Sequence, residues 1–138
     1  MRTITLIIVH CSATKENRRY RFEDCKRDHL SRPHYKDIGY HFYIERDGKT
    51  REGRPVEMVG AHCLRHNLYS IGVCYEGGLD CCGKPTDTRT VAQKDALLRL
   101  LARLKTRFPH ALIMGHRELT HDRDCPCFDA SEYRELFM

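Results

Sequence analysis

Short apolar runs along the chain predict three strands, the first two of which are buried. Residues 4–9 are continuously apolar and rich in β-branched side chains, which is typical of a central strand. Residues 70–75 predict a second such strand, which ends at Gly77 and Gly78 before a polar loop through Thr88. Residues 111–114 predict the last strand of the three.

A β-hairpin is predicted between the first two of these strands. Residues 40–45 are rich in aromatic and β-branched side chains, and residues 49–52 follow them after the turn-forming pair Asp47 and Gly48. The turn folds the second segment back along the first.

Three other segments have the spacing of helices. Phe22, Cys25 and His29 share one face of residues 22–30, a charged segment that ends before Pro33. The strongest helix begins with a capping box formed by Thr90 and Gln93. It continues as one apolar stripe down to Pro109: Leu97, Leu100, Leu101, Leu104 and Phe108. Asp129 is the predicted N-cap of a short last helix that runs through Leu136.

The alternation of strands and helices predicts an α/β fold with a single mixed central β-sheet flanked by helices. No internal repeat, low-complexity stretch or Gly/Ser-rich linker divides the sequence, so we expect one domain over residues 1–138. A chain of 138 residues, 41% apolar and 31% charged, has the size and composition of a globule with one core.

Charge and hydropathy narrow the choice of partners and compartment. A formal charge of +5 suits an anionic partner, either nucleic acid or the carboxylate-bearing bacterial wall. No basic arm is present, so we expect no nucleic-acid partner. No apolar stretch approaches the roughly 20 residues of a membrane span, and residues 4–9 are too short for a signal-peptide core. We therefore expect synthesis in the cytoplasm without a signal peptide.

Eight cysteines would allow four disulfides in a secreted protein, but a chain that starts in a reducing cytoplasm should keep most of its thiols free. Four of them lie in apolar or mixed segments and are expected to be small hydrophobic side chains: Cys11, Cys25, Cys63 and Cys74. Cys81 and Cys82 lie in a loop, where a disulfide is possible but has no evident partner.

Three residues stand where a metal site could be built. His10 ends the first strand, His116 follows the last strand, and Cys125 lies in the next loop. Two imidazoles and a thiolate suit zinc, and a zinc ion with three protein ligands keeps its fourth position for water. Two alternatives remain open at this point. The three side chains could be a core histidine, a strand cap and an inert thiol, or a structural zinc site could be closed by Cys127, His121 or Asp122.

Four motifs in order resemble the N-acetylmuramoyl-L-alanine amidase type 2 family, which includes phage lysozymes of the amidase kind and, as animal relatives, the peptidoglycan recognition proteins. They are IVHCSAT at residues 8–14, GYHF at 39–42, SIGV at 70–73 with Gly77 and Gly78, and GHR at 115–117 followed by Cys125 and Pro126. The resemblance runs from about residue 4 to residue 136.

The resemblance implies a zinc-dependent amidase that cleaves between N-acetylmuramic acid and L-alanine in peptidoglycan. It makes His10, His116 and Cys125 the ligands of one Zn²⁺, and Tyr40 and Arg123 the catalytic side chains beside the metal. It implies a phage or prophage lysis enzyme that acts on the cell wall after release or export, and we expect a monomer. A muramyl-peptide binding module that recognises the wall without cutting it is the alternative, although Cys125 favours catalysis.

Arg123 departs from the pattern, because phage relatives commonly carry lysine at this position. Arginine does not deprotonate in proteins, so it could stabilise an oxyanion but not act as a general acid or base. Alternatively, Arg123 is a solvated loop charge paired with Asp122 or Asp124.

The resemblance also gives roles to residues of the substrate groove. His62 and Asn67 match groove positions and are expected to contact the muramyl-peptide. His41 alternates with Tyr40 and is expected to face the other way as a structural histidine. The other histidines receive no function: His29, His34, His66, His110 and His121.

Overall fold

A five-stranded mixed sheet forms the centre of the computed structural model, which describes residues 2–138. Its strands are β1 (Leu6–Cys11), β3 (Phe42–Ile44), β4 (Thr50–Glu52), β5 (Ser70–Tyr75) and β7 (Leu112–Gly115). The spatial order is β4-β3-β5-β1-β7. The three contacts β1 with β5, β1 with β7 and β3 with β5 are parallel, and only the hairpin partner β4 runs antiparallel. The predicted α/β fold with a mixed central sheet is confirmed.

Helices cover both faces of this sheet. They are α1 (Phe22–Leu30), α2 (Val91–Arg107), α3 (His116–Leu119) and α4 (Ser131–Leu136). The main core joins α2 and α4 to one face of β1 and β5, and a smaller cluster joins Phe22 and Cys25 of α1 to Tyr43 and Cys74 on the other face. Within residues 2–138, no helix is both long and apolar enough to cross a bilayer.

Strand alternation decides which side chains reach the face of α1. In β1, Ile7 and Val9 point into the core under α2, so His10 points to the opposite face. In β5, Ile71 and Val73 belong to the α2 core, so Ser70 and Gly72 share the face of His10.

The helix predictions hold closely. Helix α1 has the predicted bounds and buries the three predicted residues, Phe22, Cys25 and His29. Helix α2 has the predicted reciprocal cap, in which the Gln93 N–H donates to Thr90 Oγ1 and the Thr90 N–H donates to Gln93 Oε1, both at 3.0 Å. The N-cap of α4 was predicted one residue too early, because Ala130 and not Asp129 is the N-cap, although the Asp129 carboxylate does accept from the Ser131 N–H at 3.0 Å.

The strand predictions are right in kind: β5 has the predicted bounds, and the other strands differ in their ends. Strand β1 begins and ends two residues later than predicted, since its pairing with β5 continues through Cys11. Strand β7 is shifted by one residue, and the hairpin strands are shorter than predicted.

Several elements were missed altogether. Strand β2 (Thr14–Lys15) lies where no element was predicted, and it pairs with β6 (Gly78–Leu79), which lies where a loop was predicted. A 3-10 helix (Asn67–Tyr69) and the single turn of α3 were also missed. The cysteines expected to act as hydrophobic side chains, Cys11, Cys25, Cys63 and Cys74, are all buried.

Candidate metal centre and groove

A groove of about 890 Å³ opens beside the carboxyl ends of β1 and β7. Crevices at this end of parallel strands are the usual ligand sites of α/β sheets. All seven residues singled out in the sequence line it: His10, Tyr40, His62, Asn67, His116, Arg123 and Cys125. Their positions in the chain differ widely, so the sheet and its loops bring them together.

Three potential metal ligands converge on the floor of this groove. One ligand atom from each of His10, His116 and Cys125 lies within 4.8 Å of the others, and Cys125 Sγ is 3.9 Å from His10 Nδ1. His10 is buried in β1, whereas His116 is the first residue of α3 directly after β7. The predicted trio therefore forms one cluster.

The sulfur of Cys125 is oriented by the backbone of β1. The Cys11 N–H donates to Cys125 Sγ at 3.1 Å, and the Arg117 N–H donates to the Cys125 carbonyl at 2.7 Å. These contacts hold the sulfur in place for a metal, which cysteine binds as the thiolate.

The residues that could have closed a four-ligand site do not join the cluster. Cys127 Sγ packs 3.8 Å from Cys11 Sγ, whereas His121 and Asp122 are exposed on the loop before Cys125. Within residues 2–138, the group that could hold a metal ion contains three ligands and no more. An open coordination position is what distinguishes catalytic zinc sites from structural ones.

A second histidine, His62, contacts the candidate metal ligand His10. His62 Nδ1 lies 2.8 Å from His10 Nε2, and His62 Nε2 lies 3.2 Å from Ser70 Oγ. Asn67 contacts the loop that carries His62, because its Oδ1 accepts hydrogen bonds from the backbone N–H groups of His62 and Cys63, both at 2.9 Å. The Asn67 oxygen is therefore used to hold the loop that carries His62.

Burial keeps these imidazoles neutral. The pKa of His10 is lowered well below its usual value, first by burial and then by His62, His116 and Arg123. Burial, with smaller contributions from His41 and His116, lowers the pKa of His62 to about 3. A neutral ring can offer a lone pair to a metal, so protons do not compete for His10 at neutral pH.

Tyr40 lies over the cluster. Its ring centroid is 5.2 Å from that of His10 and 5.5 Å from that of His29. Burial, followed by the neighbouring thiol of Cys74, raises the pKa of the Tyr40 phenol well above its usual value. The phenol is thus a neutral hydrogen-bond donor at physiological pH.

His41 packs in the protein as predicted, although strand alternation was the wrong reason. Regular strand begins only at Phe42. The ring centroids of Tyr40 and His41 both lie near that of His62, at 6.5 and 5.9 Å, so the two side chains do not face opposite ways. The His41 ring is buried, and its Nδ1 accepts from the Gly72 N–H at 3.0 Å.

Arg123 lies on the exposed loop at the groove edge. Its charge is close enough to His10 to contribute to the lowered pKa of that ring. Over residues 2–138, no ion pair joins its guanidinium to Asp122 or Asp124, or to any other acid. The predicted alternative, a paired loop charge, has no contact to support it.

The sequence argument did not single out Ser70 or the Cys11 backbone, both of which support the cluster. A signal for Ser70 did exist, because a serine in an apolar, fully buried strand needs a hydrogen-bond partner. The contact of the Cys11 N–H with sulfur has no sequence signal, since it depends on where a loop 114 residues away passes the strand.

Comparison with known proteins agrees with the geometry. The family model described as N-acetylmuramoyl-L-alanine amidase matches residues 1–128. The endolysin of Klebsiella phage KP32 is 39% identical over 129 residues, which is 94% of this chain and 84% of that protein. The chain belongs to the N-acetylmuramoyl-L-alanine amidase family. It is therefore an amidase of the endolysin kind, and the resemblance stated from its motifs is confirmed.

Solved structures give the same fold. An endolysin N-acetylmuramoyl-L-alanine amidase from Clostridium intestinale has a TM-score of 0.80 at 24% identity, covering 98% of this chain and 83% of its own. A Drosophila peptidoglycan recognition protein, a mutant of PGRP-LB in complex with tracheal cytotoxin, has a TM-score of 0.77 at 25% identity and covers 96% and 80%. Amidases and recognition proteins thus share this architecture.

Proposed function

We propose that the enzyme is a zinc-dependent amidase that hydrolyses the amide between the lactyl group of N-acetylmuramic acid and L-alanine in peptidoglycan. The observation that carries the proposal is the cluster of His10, His116 and Cys125 on the floor of the groove, with three protein ligands and an open side. Family membership supports the choice of substrate.

The donor set fits zinc. Ligands at the usual Zn–N and Zn–S distances are about 3.6 Å apart in a tetrahedron, close to the 3.9 Å between His10 Nδ1 and Cys125 Sγ. Neutral imidazoles and a thiolate favour zinc over hard cations such as Mg²⁺ or Ca²⁺. When bound, zinc supplies Lewis-acid polarisation of the scissile carbonyl and activation of water at neutral pH.

The remaining steps fall to groups of the chain itself. The neutral Tyr40 phenol donates a hydrogen bond toward the carbonyl oxygen as it gains negative charge. Arg123 contributes a fixed positive charge at the groove edge and moves no proton, since a guanidinium stays protonated. The His10 ring, neutral through burial, holds its position during the reaction rather than exchanging protons with water.

The biological setting follows from the relatives. We propose a phage or prophage lysis enzyme that acts as a monomer on the cell wall, after release or export from the cytoplasm. The net charge of +5 supports attraction to a carboxylate-bearing wall.

A non-catalytic muramyl-peptide binding module is the second candidate, because recognition proteins share the fold. The presence of Cys125 within the ligand cluster favours the enzyme, since a groove that only binds peptide needs no metal thiolate.

The decisive experiment is incubation with purified peptidoglycan, followed by analysis of the soluble products. An amidase releases free peptide with a new L-alanine amine, whereas a glycosidase releases reducing sugar. We expect the amine to appear, to disappear after chelation, and to return with added zinc. Circular dichroism should change little on chelation, because the buried residues of the core between the sheet and α2 include none of the three ligands, although the partly buried Cys125 packs against that core.

Two results would reject the proposal. One is binding of peptidoglycan without release of peptide, which would leave a recognition module. The other is full activity in protein shown by elemental analysis to carry no metal.

A further inference from the structure

Protein groups enclose the His62 ring more tightly than a substrate-binding side chain requires. Its ring lies against the backbone of β5, where a Cβ added to Gly72 would meet His62 Cγ at 2.6 Å. Its two nitrogens face protein groups on opposite sides, His10 Nε2 and Ser70 Oγ. Asn67 fixes the backbone that carries it. The ring is therefore held in one position, with both nitrogens within hydrogen-bonding distance of protein groups.

The contacts of His10 determine the direction of these hydrogen bonds. Its Nδ1 is the nitrogen that lies 3.9 Å from Cys125 Sγ, so Nδ1 is the atom that faces the metal position. A neutral imidazole that ligates through Nδ1 carries its proton on Nε2. The Nε2–H must then donate to His62 Nδ1, 2.8 Å away.

The same logic extends one step further. If Nδ1 of His62 accepts, its proton is on Nε2, which is 3.2 Å from the hydroxyl oxygen of Ser70. Ser70 is fully buried in β5, on the strand face it shares with His10. One assignment thus satisfies all three groups: Ser70 Oγ accepts from His62, and His62 accepts from His10.

We propose that His62 is a positioning residue for the metal ligand His10, anchored on Ser70, and not a substrate-binding residue. The proposal rests on the zinc site described above. Groups that accept from the free N–H of a ligating histidine fix its tautomer and ring orientation, and losing them typically weakens metal affinity about 10- to 100-fold. Gly72 contributes to this positioning of His62, because only a residue without a side chain leaves room for the His62 ring.

Substitutions of similar shape separate an effect of the nitrogen from an effect of packing. In His62→Asn, the side-chain oxygen can take the place of Nδ1 and accept from His10, whereas His62→Leu has a similar size and no acceptor. Ser70→Ala removes only the distal anchor. His110→Leu, at an exposed position outside the groove, is the control.

The primary measurement is the zinc dissociation constant, obtained by competition with a chromogenic chelator. We expect His62→Leu to weaken zinc binding about 10- to 100-fold. His62→Asn should recover most of that loss, Ser70→Ala should have a smaller effect, and His110→Leu none. Steady-state kinetics on a soluble muramyl-peptide at saturating zinc should then show a KM close to that of the unsubstituted enzyme. Unchanged zinc affinity in His62→Leu with a raised KM would overturn the proposal in favour of substrate binding.

A second measurement needs no substitution and so remains decisive if His62→Leu fails to fold. Nitrogen-15 NMR of the zinc-loaded enzyme reports which nitrogen of each ring is protonated. We expect a protonated Nε2 on both His10 and His62, with His10 bound to zinc through Nδ1. Ligation through Nε2 of His10, or a proton on Nδ1 of His62, would overturn it. If the unsubstituted enzyme binds no zinc at all, the proposed function itself fails, and that result is distinct from either of these.

Discussion

Two regions of the groove, its floor and its rim, hold their functional side chains differently. The floor holds them against a paired strand, whereas the rim holds them on an exposed loop. The floor, where His10, His116 and Cys125 converge, rests on the paired strand β1. His10 lies in that strand and contacts His62, and the Cys11 N–H of the same strand donates to Cys125 Sγ. The rim loop, residues 121–124, is exposed and holds Arg123 without an ion pair in the part of the chain that the structure describes.

The difference follows from what each group has to do. A metal ligand must be placed to within a fraction of an ångström, which packed strands achieve better than loops. A fixed charge acts over several ångströms, so it tolerates a less rigid support and a change of residue type. The floor should therefore be intolerant of substitution, whereas the rim should tolerate changes that keep its charge.

The largest effect is expected on the floor. Cys125→Ser should remove zinc and reduce hydrolysis to background, because a hydroxyl is a poor replacement for a thiolate ligand. Elemental analysis and product release measure the two losses, and Cys81→Ser, at an exposed loop position, should change neither. A Cys125→Ser enzyme with full zinc and full turnover would show that the floor is not the metal site.

The next largest effect is expected on the rim. Arg123→Ala should lower turnover about 100- to 1000-fold if the guanidinium stabilises an oxyanion, while zinc content stays unchanged. Arg123→Lys should keep much of the activity, since the charge and its approximate reach remain. The control is Arg103→Ala on the exposed face of α2. An Arg123→Ala enzyme with full zinc and near-normal turnover would end the catalytic assignment of this residue.

His41, a buried histidine whose ring packs near that of His62, should also make the stability of the fold depend on pH. Burial lowers the pKa of His41 to about 4, below its value of about 6.5 in an unfolded chain. As pH falls below 6.5, the unfolded chain binds the proton first, so the folded state loses stability. Between pH 7 and pH 5, this histidine should account for about 2 kcal/mol of the loss in the metal-free protein.

His41→Asn provides the comparison for that pH effect. Its side-chain oxygen can still accept from the Gly72 N–H, but it does not titrate. Urea unfolding at the two pH values should therefore show a smaller decrease for His41→Asn. Equal decreases in the two proteins would mean that another group is responsible.

The smallest effect is expected for the stability of the rim. Asp122→Asn and Arg123→Ala should each change the free energy of unfolding by no more than about 0.5 kcal/mol, since neither side chain is buried and, within residues 2–138, neither forms an ion pair. Thermal or urea unfolding measures this change. A loss above 1 kcal/mol for both substitutions would point to a pair that holds the loop, and would favour the structural interpretation of Arg123.

The elements that the sequence predicted well are those decided by local chemistry. Helix α2 follows from its capping box and apolar stripe, and α1 from Phe22, Cys25 and His29 at helical spacing on a charged segment. The short strands β2 and β6 could not be foreseen, because each has two residues and exists only by pairing with the other, 64 positions away. Strand ends were displaced for the same reason, since pairing and not composition decides where a strand stops.

The candidate site likewise has features that the sequence predicted and features that it did not. The sequence by itself singled out the three candidate metal ligands, because His10, His116 and Cys125 are residue types that suit zinc and they stand in motifs of a known family. It could not determine that Asn67 holds a loop, that Cys127 turns toward Cys11, or that His62 Nδ1 lies within hydrogen-bonding distance of His10 Nε2. Those facts depend on distances between segments far apart in the chain, and only the packed sheet, with its parallel register and its alternating faces, sets such distances.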